Sequence, residues 1–236
     1  TSRYEIDSTV ADVYIRYPYS KEERLSTGRP IIYFVIDTYS SMIVGVHVCF
    51  DGPNWHGASQ ALYNAFTDKV AFCRRYGLEI DEADWPCHHV CSQLTLDLGG
   101  ENTDNHIEGI LKGRIGVKIA NFTAYHRGDC KGTVEKKFDI VQKKVIHFEA
   151  GKVEKVPRKE DQHASKRTLY TYEEFMFRLL KLIIHTNKNM LLEGEPNFEM
   201  ARDNLKCTHL NVWNWSLAES LERPPVSKDK LRFALL

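Results

Sequence analysis

The sequence lacks any apolar run approaching the roughly 18 residues of a membrane-spanning helix, which argues against a helical membrane protein. It lacks net charge as well: 32 Lys and Arg balance 32 Asp and Glu, so the chain is not basic throughout, although local patches remain possible. Its six cysteines follow no framework spacing, and a chain of this length is not a small disulfide scaffold. The thiols fit a reducing compartment, where Cys acts mostly as a small buried hydrophobe. No internal repeat or low-complexity tract is present. The first residues, "TSRYEID", contain neither an initiator Met nor an apolar signal core, so the expectation is a soluble, cytoplasmic segment of a longer chain.

What is present suits one sizeable α/β domain, or such a domain with an appended helical part: 236 residues, 42% of them hydrophobic. Three apolar stretches, 4–15, 30–40 and 42–50, read as strands, the second and third as a hairpin. Residues 54–76 carry Ala58, Leu62, Ala65, Phe66, Val70 and Phe72 near helical spacing, and a crossover helix is expected there. Further expectations are a strand at 93–97, a helix at about 102–112 and a strand at 116–120. Val134, Phe138, Val141 and Val145 then form an apolar helical stripe, with Glu135 at its edge. Together these make a mixed α/β sheet flanked by helices.

Residues 149–168 hold few apolar side chains and read as an exposed loop. Thr171 and Glu174 have capping-box spacing before a long helix, and "LNVWNWSLAESL" reads as another. Charge is uneven along the chain. Residues 112–167 contain fifteen Lys and Arg against seven Asp and Glu, a local +8 that suits a polyanion partner or a solvated basic loop.

Three aspartates close apolar strand patterns: Asp7 in "YEID", Asp37 in "YFVID" and Asp97 in "LTLD". A carboxylate at a strand end beside a core is costly unless compensated, and strand ends are where α/β sheets place ligand groups. Each also has a bland reading as a turn cap, since Ser-Thr, Thr-Tyr-Ser and Leu-Gly-Gly follow them.

The segments "YEIDSTVADVYI", "RPIIYFVIDTYSSMIVGVHV", "LTLDLGGEN" and "RGDCKGTVEKKF" together resemble the integrase-like catalytic cores of transposases with an Asp, Asp, Glu triad. Within that group the chain resembles the TnsB-type transposases, related to Mu transposase and, more distantly, to retroviral integrases. The resemblance runs through nearly the whole chain, including "VWNW" and "LRFALL". It implies a ribonuclease H-like fold: a mixed five-stranded sheet flanked by helices, with additional C-terminal helices. The catalytic core would occupy 1–150, an exposed basic insertion 151–170, and a helical extension 171–236.

By the same resemblance the catalytic and metal-binding residues are Asp7, Asp97 and Glu135, separated by 90 and 38 positions, while Asp37 is left to the hairpin turn. Two Mg2+ ions are implied, with Mn2+ as a substitute. The implied activity is DDE-family DNA transposase: water cleaves the transposon 3′ end, and the freed 3′-hydroxyl attacks target DNA. Arg127, Lys131, Lys136 and Lys137 are expected to meet phosphates, and Gly128 and Gly132 to let backbone approach at a helix start. Implied partners are transposon-end DNA, target DNA, further copies of the chain on paired ends, a TnsC-like ATPase regulator and, in some systems, a TnsA-like endonuclease. The implied setting is the bacterial nucleoid.

Two local signals compete for attention. "CHHVC", with Cys87, His88, His89 and Cys91, superficially suggests zinc, but a tetrahedral site commonly takes a defined Cys-x2-4-Cys spacing with a second pair elsewhere, and adjacent histidines on one turn rarely both reach one ion, so a loop with partly buried thiols is the expectation. Trp213 and Trp215 suggest base stacking, although tryptophans so spaced more often pack a terminal helix on a core. The alternative functions are another ribonuclease H-like nuclease or resolvase, or a catalytically silent DNA-binding assembly module.

Overall fold

The computed structural model describes residues 3–19, 25–96, 107–122, 138, 163–166, 168, 170–192, 198–218 and 226–236. From the first strand, β1 (Arg3–Val10), the chain enters a ribbon of β2 (Ile15–Arg16) and β3 (Ser26–Gly28). It returns through the hairpin β4 (Ile31–Asp37) and β5 (Ile43–Cys49) to α1 (Trp55–Phe66) and α2 (Val70–Arg74). Strand β6 (Gln93–Leu96), a π-helical turn at Ile110–Ile115 and β7 (Ile119–Phe122) follow. The described C-terminal helices are α3 (Tyr172–Asn189), α4 (Phe198–Arg202), α5 (His209–Ala218) and α6 (Lys228–Leu235).

The main sheet has the order β5-β4-β1-β6-β7. Strand β4 is antiparallel to both of its neighbours, β5 and β1, and β1, β6 and β7 are parallel. This is the mixed five-stranded sheet anticipated from the sequence. Every residue of β4 is buried, as an unbroken apolar strand covered on both faces should be.

Three boundaries differ from the sequence reading, each for a local reason. The expected strand 4–15 divides at Ala11, whose N–H donates to Pro30 O at 2.8 Å, and the chain departs into the ribbon. The expected helix 54–76 breaks between α1 and α2. Thr67 is extended (φ −118, ψ 162), and the Asp68 carboxylate caps the restart by accepting from Val70 N–H and Ala71 N–H, each at 3.2 Å. The strand expected at 116–120 begins three residues later because Gly116, at φ 93, closes the π-helical turn in the left-handed region. The start of the helix expected at 102–112, most of the stripe from Val134 to Val145 and most of 149–168 lie outside the described residues.

Helix α1 lies close against one face of the sheet. A Cβ on Gly45 of β5 would sit 2.6 Å from Ala65 Cβ, so only glycine allows this approach. On the same face Tyr4 stacks with Phe66 at 6.3 Å between ring centroids. Helix α3 opens with the anticipated capping box: Thr171 N–H donates to Glu174 Oε2 at 2.8 Å and Glu174 N–H to Thr171 Oγ1 at 3.4 Å.

Strand β5 is an edge strand whose outward backbone groups are met by side chains. Asn187 of α3 accepts from Ile43 N–H at 3.0 Å through Oδ1 and donates to Ile43 O at 2.9 Å through Nδ2. Trp85 Nε1 donates to the same carbonyl at 2.8 Å. Val46 N–H donates to Asn64 Oδ1 at 3.0 Å, and Tyr172 donates its hydroxyl to Val48 O at 2.9 Å. Because Tyr172 and Asn187 bond opposite ends of β5, α3 runs antiparallel along it. Replacing Asn187 with Ala strands buried Ile43 N–H, and urea unfolding should show a loss of about 1–3 kcal/mol.

Lys69 is fully buried between α1 and α2. Its ammonium donates to Ala65 O at 3.2 Å, to Thr67 O at 2.6 Å and to Cys87 O, and lies 5.5 Å from the centroid of the Trp85 ring. The loop carrying Trp85 and Cys87 is thereby fastened to the end of α1. Burial pulls the Lys69 pKa down to about 8 from 10.5. Between those values the unfolded chain holds a proton that the folded chain does not, so this group's contribution to stability rises with pH across that window. The unfolding free energy of wild type minus that of Lys69→Met, measured by urea titration, should therefore increase from pH 8 to 10.5. A flat difference would contradict the burial cost.

Candidate active site

Asp7 stands in the middle of the central strand. Its antiparallel partner is Phe34 on β4, and the preceding residue, Ile6, lies opposite Leu96 on β6. Leu96 immediately precedes Asp97 in the chain. Alternation along β1 turns Tyr4 and Ile6 toward α1 and Asp7 toward the opposite face. Asp7 is half-buried there, and Ser8 N–H donates to its Oδ1 at 2.8 Å.

Directly opposed residues of an antiparallel pair share a face, so Phe34 lies on the side of Asp7. Phe138 stacks on Phe34 with centroids 5.0 Å apart and planes at 17°. Phe138 is buried, helical and three residues past Glu135 in the chain. Thus a described residue near Glu135 in sequence packs at the level of Asp7. Asp97, Glu135, Arg127, Lys131, Lys136 and Lys137 themselves lie outside the described residues.

Asp37 does not share this face. It pairs with Tyr4, three positions along β1 from Asp7, and odd separation reverses the side. It is fully buried and organises the β4–β5 turn: Ser40 N–H and Oγ donate to its Oδ2 at 2.9 and 2.6 Å, and its own N–H donates to Met42 O at 3.0 Å. Ser41 takes the turn's left-handed position at φ 55.

Glu5, which the sequence reading passed over, shares the face of Asp7 and is buried. Arg3 Nη2 donates to its Oε1 at 3.2 Å, and Thr95 of β6 lies opposite. Its position two residues before Asp7 was the available signal, since strand alternation places i and i+2 on one side. Lys69 gave no such signal, because it falls within the stretch 54–76 expected to be one helix.

The Cys-His-His-Val-Cys stretch is packing. Cys87 and Cys91 are buried, His88 stacks on His89 at 4.3 Å, and His89 lies 6.0 Å from Trp213. Among the described residues no group of three or more His, Cys, Asp or Glu is placed to hold a metal ion. Trp213 is fully buried, whereas Trp215 Nε1 donates to Asp203 at 3.4 Å. No helix among the described residues is long and apolar enough to cross a membrane.

The chain belongs to the TnsB C-terminal domain family, which matches residues 5–151. It is 31% identical over 238 aligned positions to the transposon Tn7 transposition protein TnsB of Escherichia coli, covering 100% of this chain and 33% of that protein. It is 21% identical over 212 positions to the transposase for transposon Tn552 of Staphylococcus aureus, covering 89% of this chain and 37% of that one. The chain therefore spans about a third of the length of the curated relatives it matches. Among solved structures it is similar to the catalytic core domain of BIV integrase, at 13% identity and a TM-score of 0.42, over 86% of this chain and 95% of that one.

The Phe34–Phe138 stack joins the segment near Glu135 to the central sheet. Phe138→Ala should cost about 3 kcal/mol in urea unfolding, and Phe138→Leu clearly less.

Proposed function

We propose that this chain is the catalytic core of a DDE-family DNA transposase, which cleaves the 3′ ends of a transposon and joins them to target DNA. The observation that carries the reading is the placement of Asp7: mid-strand, beside the end of the described β6, on the face where Phe138 packs. Membership of the TnsB family supports the reaction class.

Asp7 fits a divalent cation by its chemistry, a half-buried hard-oxygen carboxylate with one oxygen already oriented by Ser8 N–H. Asp97 and Glu135 complete the proposed ligand set. Bound Mg2+ supplies Lewis acidity toward the attacking and leaving oxygens of the phosphodiester. The protein's own part is to hold the Asp7 carboxylate on a strand paired along its length with β4 and to exclude bulk water from one flank by the Phe34–Phe138 stack. Arg127, Lys131, Lys136 and Lys137 neutralise DNA phosphates and set position without reading sequence. No protein nucleophile is involved, so DNA binding and chemistry are separable. In the full protein, this core acts on paired transposon ends with further copies of itself, a TnsC-like ATPase and, in some systems, a TnsA-like endonuclease.

The test is joining of a pre-cleaved transposon-end oligonucleotide to target DNA by the full-length protein with its regulators. Wild type should join with Mg2+ and fail with EDTA. Asp7→Asn, Asp97→Asn and Glu135→Gln should each bind ends yet lose joining by on the order of 100-fold or more. Joining that survives these substitutions would remove the triad assignment, and a wild-type assembly that binds but never joins would make the chain an assembly module.

A further inference from the structure

Two buried polar residues stand side by side where apolar ones would suit the sheet better. Glu5 on β1 and Thr95 on β6 are 7% and 6% exposed, and they are partners in the parallel register. On its other flank Glu5 lies opposite Ile36 of the wholly buried β4. Alternation along β1 puts Glu5 on the face of Asp7, and paired residues share a face, so Thr95 is there as well.

Folding alone accounts for neither residue. Glu5 pairs with Arg3 at 3.2 Å, the Arg3 side chain being 44% exposed, yet a buried ion pair generally stabilises a fold no more than well-packed apolar residues of similar volume. Thr95 Oγ1 is buried with no hydrogen-bond partner among the described residues, a cost that a valine of the same shape would avoid. Local choices that run against their surroundings gather at functional sites. Glu5 comes two residues before Asp7, and Thr95 two residues before Asp97. On β1 that spacing sets Glu5 one strand repeat behind the proposed ligand, at roughly 7 Å between Cα atoms.

We propose that Glu5 and Thr95 are positioning residues for the divalent cation at Asp7. Glu5 provides a fixed negative charge that raises the affinity of the site, and Thr95, both donor and acceptor, orients with it the waters that Mg2+ retains. A charge held at this range with little water around it acts on a cation with weak screening. Arg3 offsets part of that charge and holds the carboxylate in place. The assignment rests on the transposase reading and adds what tunes the cation affinity of its site.

Mn2+ is the probe. Its binding to the full-length protein on transposon-end DNA is read from loss of the free-ion EPR signal, with the Asp7→Asn complex defining uptake elsewhere. Wild type is compared with Glu5→Gln, which removes the charge at nearly constant volume, with Thr95→Val, which removes the hydroxyl, and with Thr95→Ser, which retains it. Urea unfolding without metal and end binding in EDTA are measured alongside. Glu5→Gln should weaken Asp7-dependent Mn2+ binding by about 10- to 100-fold, and Thr95→Val by on the order of 10-fold, while Thr95→Ser stays near wild type. Without metal, Thr95→Val should resist urea as well as wild type or better. A weaker cation site in a fold that has lost no stability is what a merely structural hydroxyl does not produce. In strand joining, the Mg2+ concentration giving half the maximal rate should rise for Glu5→Gln and Thr95→Val, and excess Mg2+ should restore the rate.

The proposal is overturned if Glu5→Gln and Thr95→Val both bind Mn2+ as wild type does, or if their Mn2+ losses only accompany losses of urea stability and end binding. If one variant alone weakens binding, the other residue leaves the assignment. If wild type takes up Mn2+ through Asp7 and joins strands while these variants match it, the positioning role falls and the transposase reading stands. If wild type takes up no more Mn2+ than Asp7→Asn and joins no strands, both fall.

Discussion

Strand β1 is hydrogen-bonded along both sides, antiparallel to β4 and parallel to β6, and the rest of the sheet is ordered outward from it. With β4, β1 is paired from Tyr4 to Val10, and its described pairing with β6 runs from Arg3 to Ile6. Asp7 follows the last described pair, Ile6 with Leu96, and lies toward the carboxyl end of β6, the side on which open α/β sheets receive ligands.

The two faces of β1 do different work. Toward α1 the sheet is closed by small residues in near contact, Gly45 against Ala65, and by the Tyr4–Phe66 stack. The other face carries Glu5 and Asp7 among apolar residues such as Phe34. Acidic groups on that face are kept in place by backbone pairing, because a one-residue slip of β1 would drive them into the packing beneath α1. The same parity separates Asp37 from Asp7 despite their similar sequence surroundings, and leaves Asp37 to brace a turn.

Much of the architecture was legible from periodicity and local chemistry. The hairpin of β4 and β5, the capping box of α3 and the burial of Trp213 follow from apolar runs, a Thr-x-x-Glu spacing and the usual preference of paired tryptophans. What sequence did not reveal depended on long-range partners. The break after Phe66 needs Asp68 as a cap, a role that a helical stripe of apolar residues conceals. The buried Lys69 is tolerable only because Cys87 O, distant in sequence, joins two nearer carbonyls around it. Of the candidate triad, Asp7 and Asp97 stood out, together with Asp37, as charges closing apolar strand patterns, and Glu135 as a charge at the edge of a helical stripe, whereas only the family resemblance joined these three and left Asp37 out.

The side-chain cover of β5 has a consequence for how copies of this chain can meet. An uncovered edge strand offers a neighbour a ready template, and sheets that join in this way fuse into one continuous structure that is slow to come apart. Here Asn187, Trp85, Asn64 and Tyr172 already occupy outward groups of that edge. Copies gathered together are thereby denied strand-to-strand fusion at β5, and contacts on that side fall to side chains, which can be made and released without unzipping a sheet.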